Sequence, residues 1–350
     1  PYRESRLMKP LLILDNHFRS RAELFADETY AALGEICCIE GGVDAPMPQA
    51  RIDALLPEAV FYVATRPELS AADVAGAGQL RATIEVAGAF RDGLDYGACF
   101  DRGIEVLSCS PGFRRAVAEM ALAMMLAGGR GLVEEHEAFR TGSERWLDDR
   151  PASDFSLYGQ TVGFIGYGQI SRETHRLVTP FAPRVLAHDP YLTETGTDAR
   201  LVELTELVEE SRVIVLAAVP SEDTRNLLNA ALIERLQPGA LVVVISRAWC
   251  ADFPALIAAA EAGRIKVATD VFPSEPLDGA DPLRRSRNVI LSPHRAAAVP
   301  GGRQLIGEMI LHDVRAILEG RPERQLKAAE PALVAGLVAA QQHMNAMPNT

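Results

Sequence analysis

One segment limits what this chain can fold into more than any other: Thr161-Val162-Gly163-Phe164-Ile165-Gly166-Tyr167-Gly168-Gln169-Ile170-Ser171. A short β-branched run leads into G-x-G-x-x-S, and a helical stretch, Arg172–Val178, follows. Gly166 allows a tight turn, and Gly168 lets the backbone approach a pyrophosphate with no side chain in the way. The helix beyond supplies free N–H groups and the positive end of its dipole. Ser171 stands where a third glycine is usual and is small enough for close helix–strand packing. A second strand, Arg184–Ala187, leads to Asp189 about twenty residues on. A carboxylate there accepts hydrogen bonds from the adenosine ribose hydroxyls and repels a 2′-phosphate. The pattern predicts a dinucleotide site that takes NAD in preference to NADP.

Around this turn, short apolar runs alternate with helical stretches almost from end to end, which is the signature of parallel α/β architecture. In the first third the strand candidates are Leu11–Leu14, Ala59–Val63, Ala82–Val86 and Glu105–Leu107, with helices at Arg21–Leu33 and Ala71–Gly76. One long helix is expected from Arg115 to about Phe139, with Val117, Met120, Ala121, Met124 and Met125 at 3-and-4 spacing as packing surface. Six further strands, Thr161–Ile165, Arg184–Ala187, Val213–Ala217, Leu241–Ile245, Lys266–Thr269 and Val289–Leu291, make one complete doubly wound sheet. At 350 residues the chain has room for two domains. Met8-Lys9-Pro10 ahead of Leu11–Leu14 reads as a natural start, with Pro1–Leu7 foreign to it. The last stretch, 331–350, reads as a helix with a frayed tail.

Composition narrows the partners. The chain is 48% apolar and 23% charged, the balance of a soluble globular protein rather than a disordered one. Lys and Arg number 35 against 47 Asp and Glu, a net charge of -12, and so acidic a surface argues against nucleic acid. No apolar run reaches the roughly 18–20 residues of a membrane span, and the N-terminus has no export pattern. Cys37, Cys38, Cys99, Cys109 and Cys250 are odd in number, with no C-x-x-C pair and no metal-ligand spacing. The expectation is reduced structural thiols, a cytoplasmic protein and no metal.

Several further motifs follow the glycine turn in order. Thr224-Arg225-Asn226-Leu227-Leu228 comes after the strand ending at Pro220, and Pro238-Gly239-Ala240 leads to Ile245-Ser246-Arg247-Ala248. Then come Asp270-Val271-Phe272-Pro273-Ser274-Glu275-Pro276-Leu277 and Ser292-Pro293-His294, and Val117-Ala118-Glu119 lies on the long helix. From about Ile84 to Leu318 the chain resembles the D-isomer-specific 2-hydroxyacid dehydrogenases. The resemblance implies two Rossmann-like doubly wound parallel-sheet domains, the substrate domain being discontinuous. Residues 8–112 and 296–330 would form that domain and 113–295 the NAD-binding one. It also implies that Arg247 binds the substrate's carboxylate and carbonyl, that His294 is the acid/base and that Glu275 is its partner. Gly166, Tyr167, Gly168, Gln169, Ile170, Asp189, Pro220, Thr224, Ser246, Asp270 and His294 would touch NAD. Backbone N–H groups of Ala87, Gly88 and Ala89 would hold the substrate carboxylate. A C₂ homodimer is implied as well.

The chemistry of these residue types agrees with the roles. Reducing a 2-keto acid takes a hydride donor, a proton donor at the carbonyl oxygen and a fixed cation for the carboxylate. Histidine donates protons near neutral pH, a carboxylate beside it stabilises imidazolium, and a guanidinium grips a carboxylate in bidentate fashion. A non-catalytic NAD-sensing scaffold is the alternative reading; formate oxidation is disfavoured because that branch carries glutamine where Glu275 stands. The loop Gly88-Ala89-Phe90-Arg91-Asp92-Gly93-Leu94-Asp95 has Phe90 where glycine is common, and Ala248 replaces the glycine usual after the arginine. Arg91, Arg114 and Arg295 either read a second anionic group on the substrate or are paired by acidic neighbours such as Asp92 or Glu85.

Overall fold

Thirteen strands organise the computed structural model, which describes residues 9–147, 153–332 and 334–335. They are β1 Leu11–Asp15, β2 Cys38–Gly41, β3 Ala59–Ala64, β4 Ala82–Glu85, β5 Glu105–Ser108, β6 Thr161–Ile165 and β7 Arg184–His188. After these come β8 Arg200–Leu201, β9 Val213–Leu216, β10 Leu241–Val244, β11 Lys266–Thr269, β12 Val289–Leu291 and β13 Lys327–Ala328. The readings of Pro1–Leu7 and of the tail beyond 335 fall outside the described residues. The chain forms two compact units, passing from the first to the second between Phe113 and Arg114 and returning between Ala298 and Val299.

The first unit holds a six-stranded sheet in the order β13-β5-β4-β3-β1-β2, parallel except for β13 against β5. The segment that returns from the second unit supplies the helix Gln304–Leu318, whose buried face includes Leu305, Ile306, Met309, Ile310 and Val314. Gly307 makes this possible, since a Cβ there would lie 2.4 Å from the Leu24 carbonyl oxygen. The single helix expected over Arg21–Leu33 is two, Arg21–Leu24 and Asp27–Ile36. Ser20 caps the first with a reciprocal bond to Glu23. The break at Phe25 drops that ring, 2% exposed, into the core against Gly307.

The second unit holds a seven-stranded, all-parallel sheet in the order β12-β11-β10-β9-β6-β7-β8. Its central strands β9 (VIVL) and β10 (LVVV) are buried at every position, as expected for parallel strands covered on both faces. Each such side chain is worth about 1.5–3 kcal/mol of burial. The strand order reverses at β6, between β7 and β9, and this switch point is where open α/β sheets bind ligands. The expected helix from Arg115 to Phe139 is two here as well, Arg114–Gly129 and Leu132–Thr141, with a 58° bend at the break. Gly131 adopts φ 58°, outside helical geometry. Gly128 and Gly129 lie so close to Leu241 and Phe155 that a Cβ would sit 2.8 and 3.1 Å from them. Close packing on β10 ends the first helix.

Candidate active site

The site residues expected in the second unit lie in the segments that follow its strands β6, β7, β9, β10, β11 and β12. At the end of β6, Gly166 has φ 82°, and a Cβ there would lie 2.6 Å from the backbone of Ala218. Only glycine tolerates both conditions. Gly168 is the N-cap of the helix Gln169–Val178, and the space around its missing Cβ is open to 4 Å. Gln169 is exposed and Ile170 half-buried in the first turn, whose N–H groups have no carbonyl within the helix. Ser171 closes the turn by donating its hydroxyl to the Gly166 carbonyl at 2.6 Å. An open glycine, a helix N-terminus and a carboxylate at the next strand fit a dinucleotide pyrophosphate and ribose.

Tyr167, expected to touch NAD, directs its side chain away from the open side of the turn. Its ring is 1% exposed and turns inward, with its hydroxyl 2.5 Å from His175 Nδ1 and 2.8 Å from Thr197 Oγ1. Its backbone N–H donates to Asp189 Oδ2 at 2.9 Å, so Tyr167 buttresses the turn from below. Asp189 also accepts from the Tyr191 N–H at 3.1 Å. Each of its oxygens therefore has one lone pair in use, and the carboxylate is half-exposed at the end of β7. Pro220 and Thr224 lie on the loop after β9, where Thr224 Oγ1 donates to the Val219 carbonyl at 2.8 Å. Ser246, after β10, donates to the Leu216 carbonyl at 3.3 Å.

Arg247, Glu275 and His294 follow β10, β11 and β12. Arg247 has an extended backbone, and its Nη1 donates to the Ser246 carbonyl at 2.7 Å. Glu275 Oε1 accepts the Phe272 N–H at 2.9 Å, and Oε2 lies 2.5 Å from His294 Nδ1. The two side chains are 33% and 43% exposed, open to a ligand while bonded to each other. Burial pushes the Glu275 carboxyl up. The His294 and Phe272 bonds and the charges of His294 and Arg247 outweigh it, and hold the group below the usual carboxylate range. Glu275 is thus ionised at neutral pH and favours an imidazolium beside it.

His294 has φ 47°, a left-handed conformation uncommon for any residue with a side chain. Asp270 explains how it is held. Its carbonyl accepts the His294 N–H at 2.8 Å. Its carboxylate, 1% exposed, accepts from Ser292 Oγ and from the N–H groups of Arg295 and Ala296 at 2.9 Å each. The structure therefore gives Asp270 to the segment on both sides of His294, a positioning role invisible in spacing alone.

In the first unit, the N–H groups of Ala87 and Gly88 are already taken. Each donates to Glu85 Oε2 at 2.8 Å. These two were expected to hold a substrate carboxylate; here each spends its one proton on Glu85. Nor does Glu85 pair Arg91, whose Nε is buried without a hydrogen-bond partner. Phe90 is core, 4% exposed. Among the described residues no group of three or more His, Cys, Asp or Glu could hold a metal ion.

A seven-stranded sheet with a glycine turn at its switch point defines a dinucleotide-binding protein. Residues 122–296 match the family described as "D-isomer specific 2-hydroxyacid dehydrogenase, NAD binding domain". A phosphoglycerate oxidoreductase from Rhizobium etli superposes with a TM-score of 0.81 at 32% identity, over 92% of this chain and 99% of that one. The chain belongs to the D-isomer-specific 2-hydroxyacid dehydrogenase family, and its cofactor is NAD. It is 29% identical to D-3-phosphoglycerate dehydrogenase of Archaeoglobus fulgidus over 70% of its own length and 47% of that protein's. It is also 29% identical to hydroxypyruvate reductase of Thermotoga maritima, over 72% of this chain and 83% of the relative. The chain spans about half the length of the D-3-phosphoglycerate dehydrogenases it matches.

Proposed function

We propose that this chain is an NAD-dependent oxidoreductase interconverting a D-2-hydroxy acid and its 2-keto acid. The observation that carries this reading is the His294–Glu275 pair, an imidazole 2.5 Å from an ionised carboxylate on the edge that bears the dinucleotide turn. A bound nicotinamide supplies the hydride that the substrate's C2 takes up in reduction. His294 gives its proton to the carbonyl oxygen from the ring nitrogen facing away from Glu275, and takes it back in oxidation. Glu275 stabilises the imidazolium and fixes the ring. Arg247 orients the carboxylate and polarises the carbonyl. NADH oxidation with glyoxylate, pyruvate, 2-oxoglutarate and hydroxypyruvate phosphate tests the reading. NADH binding with no turnover of any keto acid would favour the scaffold alternative.

Three expectations follow from this reading. Glu275→Gln keeps the shape but removes the charge that favours imidazolium. Keto-acid reduction, which needs protonated His294, should lose its high-pH limb at a lower pH than in the unaltered enzyme. The pH profile of kcat/KM checks this, and an unmoved limb would count against the pairing. NADH should be strongly preferred to NADPH, because Asp189 repels a 2′-phosphate; Asp189→Ala should narrow the ratio of the two kcat/KM values. In solution we propose a C₂ homodimer, consistent with the exposed apolar side chains Leu132, Val133 and Phe139 on one helix of the second unit. A monomer mass by light scattering at micromolar concentration would refute it. The setting we propose is cytoplasmic, in keeping with five free thiols.

A further inference from the structure

Glu85, the last residue of β4, is 5% exposed. Its Oε2 collects the N–H groups of Ala87 and Gly88 at 2.8 Å each, and its Oε1 accepts from the Ser108 hydroxyl. Gly88, at φ 97°, turns the chain so that successive N–H groups converge on one point, and a Cβ there would strike Phe113 at 2.5 Å. Consecutive N–H groups in such a turn form an anion-binding concavity. Here the anion is supplied by the chain itself. Burial is the largest influence on the Glu85 carboxyl and raises it overall, although the bonds from Ser108, Gly88, Ala87 and Ala89 act in the opposite sense. The turn and the carboxylate are therefore matched to each other, and a donor spent on Glu85 is not available to a second acceptor.

We propose that Glu85 is a specificity-determining residue: its carboxylate fills the N–H cradle of the 86–93 loop, and so turns the enzyme away from small monocarboxylate keto acids that would put their own carboxylate there. The Ala87 and Gly88 donors are then closed to a substrate anion, and that turn is left suited to a neutral or hydrogen-bond-donating group of the substrate. This rests on the oxidoreductase reading given above.

Oxalate, a non-reacting mimic of a keto acid, separates the two claims. Its binding to the NAD-loaded protein is measured by calorimetry for the unaltered chain, for Glu85→Gly, which vacates the cradle, and for Glu85→Gln, which fills it without charge. Glu85→Gly should bind oxalate about 10-fold more tightly, the size of one charge-assisted hydrogen bond regained. Glu85→Gln should be intermediate, with kcat/KM for glyoxylate rising in step with oxalate affinity in both. Equal or weaker oxalate binding by Glu85→Gln, with an unchanged melting temperature, would show Glu85 to be only a strut of the loop and overturn the proposal; should Glu85→Gly fail to fold, Glu85→Gln decides alone. Tighter oxalate binding in a protein that turns over no keto acid would leave the Glu85 proposal standing and remove the oxidoreductase reading.

Discussion

Replacing His294 by Asn, or Arg247 by Ala, is expected to lower kcat/KM for keto-acid reduction by about 10²-fold or more, with NADH affinity largely kept. A positioned general acid contributes about 10²–10⁴-fold. Asn at 294 retains a polar group of similar reach but delivers no proton at neutral pH. It also tolerates the left-handed backbone at that position better than most residues, so the segment held by Asp270 should survive the change. For Arg247 the loss arises differently. Without the guanidinium the substrate carboxylate has no bidentate partner, and the carbonyl is neither oriented nor polarised. The two variants should then differ in kind, with Arg247→Ala raising KM and lowering kcat, and His294→Asn acting chiefly on kcat. Near-normal turnover in either would remove that residue from the mechanism.

Gly166→Ala should raise the Kd for NADH by about 10²-fold or more. Two independent costs meet at this residue. A side chain at φ 82° is strained by about 1–3 kcal/mol, and the new Cβ would sit 2.6 Å from the Ala218 backbone, closer than real contacts allow. Backbone on backbone cannot yield by a rotamer change, so the turn must move away from β9. The Ser171 hydroxyl bond to the Gly166 carbonyl, and the Tyr167 N–H bond to Asp189, would move with it. Fluorescence titration with NADH measures the effect, and a melting curve shows that the sheet itself survives. An unchanged Kd would mean that the cofactor does not depend on this turn.

How much of this was legible in the sequence depends on what each residue is packed against. β6 and β11 were readable to the residue because strands inside a parallel sheet are continuous apolar runs bounded by turn formers, and β12, at the sheet edge, because its three residues Val-Ile-Leu are all apolar. β2 (CIEG), β8 (RL) and β13 (KA) were not, since edge strands of two to four residues that mix polar with apolar side chains show neither an apolar run nor a period. The helix break at Gly131 was hidden because glycine inside a helical pattern is ambiguous until its neighbours are known, and Leu241 and Phe155 lie far off in sequence. The strand ends that carry Arg247, Glu275 and His294 could be located from motif order. Partner choice could not. Asp270 and Tyr167 look like groups aimed at a ligand and Glu85 like a partner for an arginine, but other protein donors or acceptors reach each of them first. No spacing rule encodes that competition between internal partners and ligand for the same polar group.

The most direct measurement of the central claim follows the hydride itself. NADH deuterated at the transferring position is incubated with a keto acid that the enzyme turns over, and the product is analysed by mass spectrometry and chiral chromatography. The account predicts one deuterium at C2 of a D-configured 2-hydroxy acid, one NAD⁺ formed per molecule of product, and no such product from His294→Asn over the same period. An unlabelled product, an L-configured one, or equal labelling by the His294→Asn variant would contradict it.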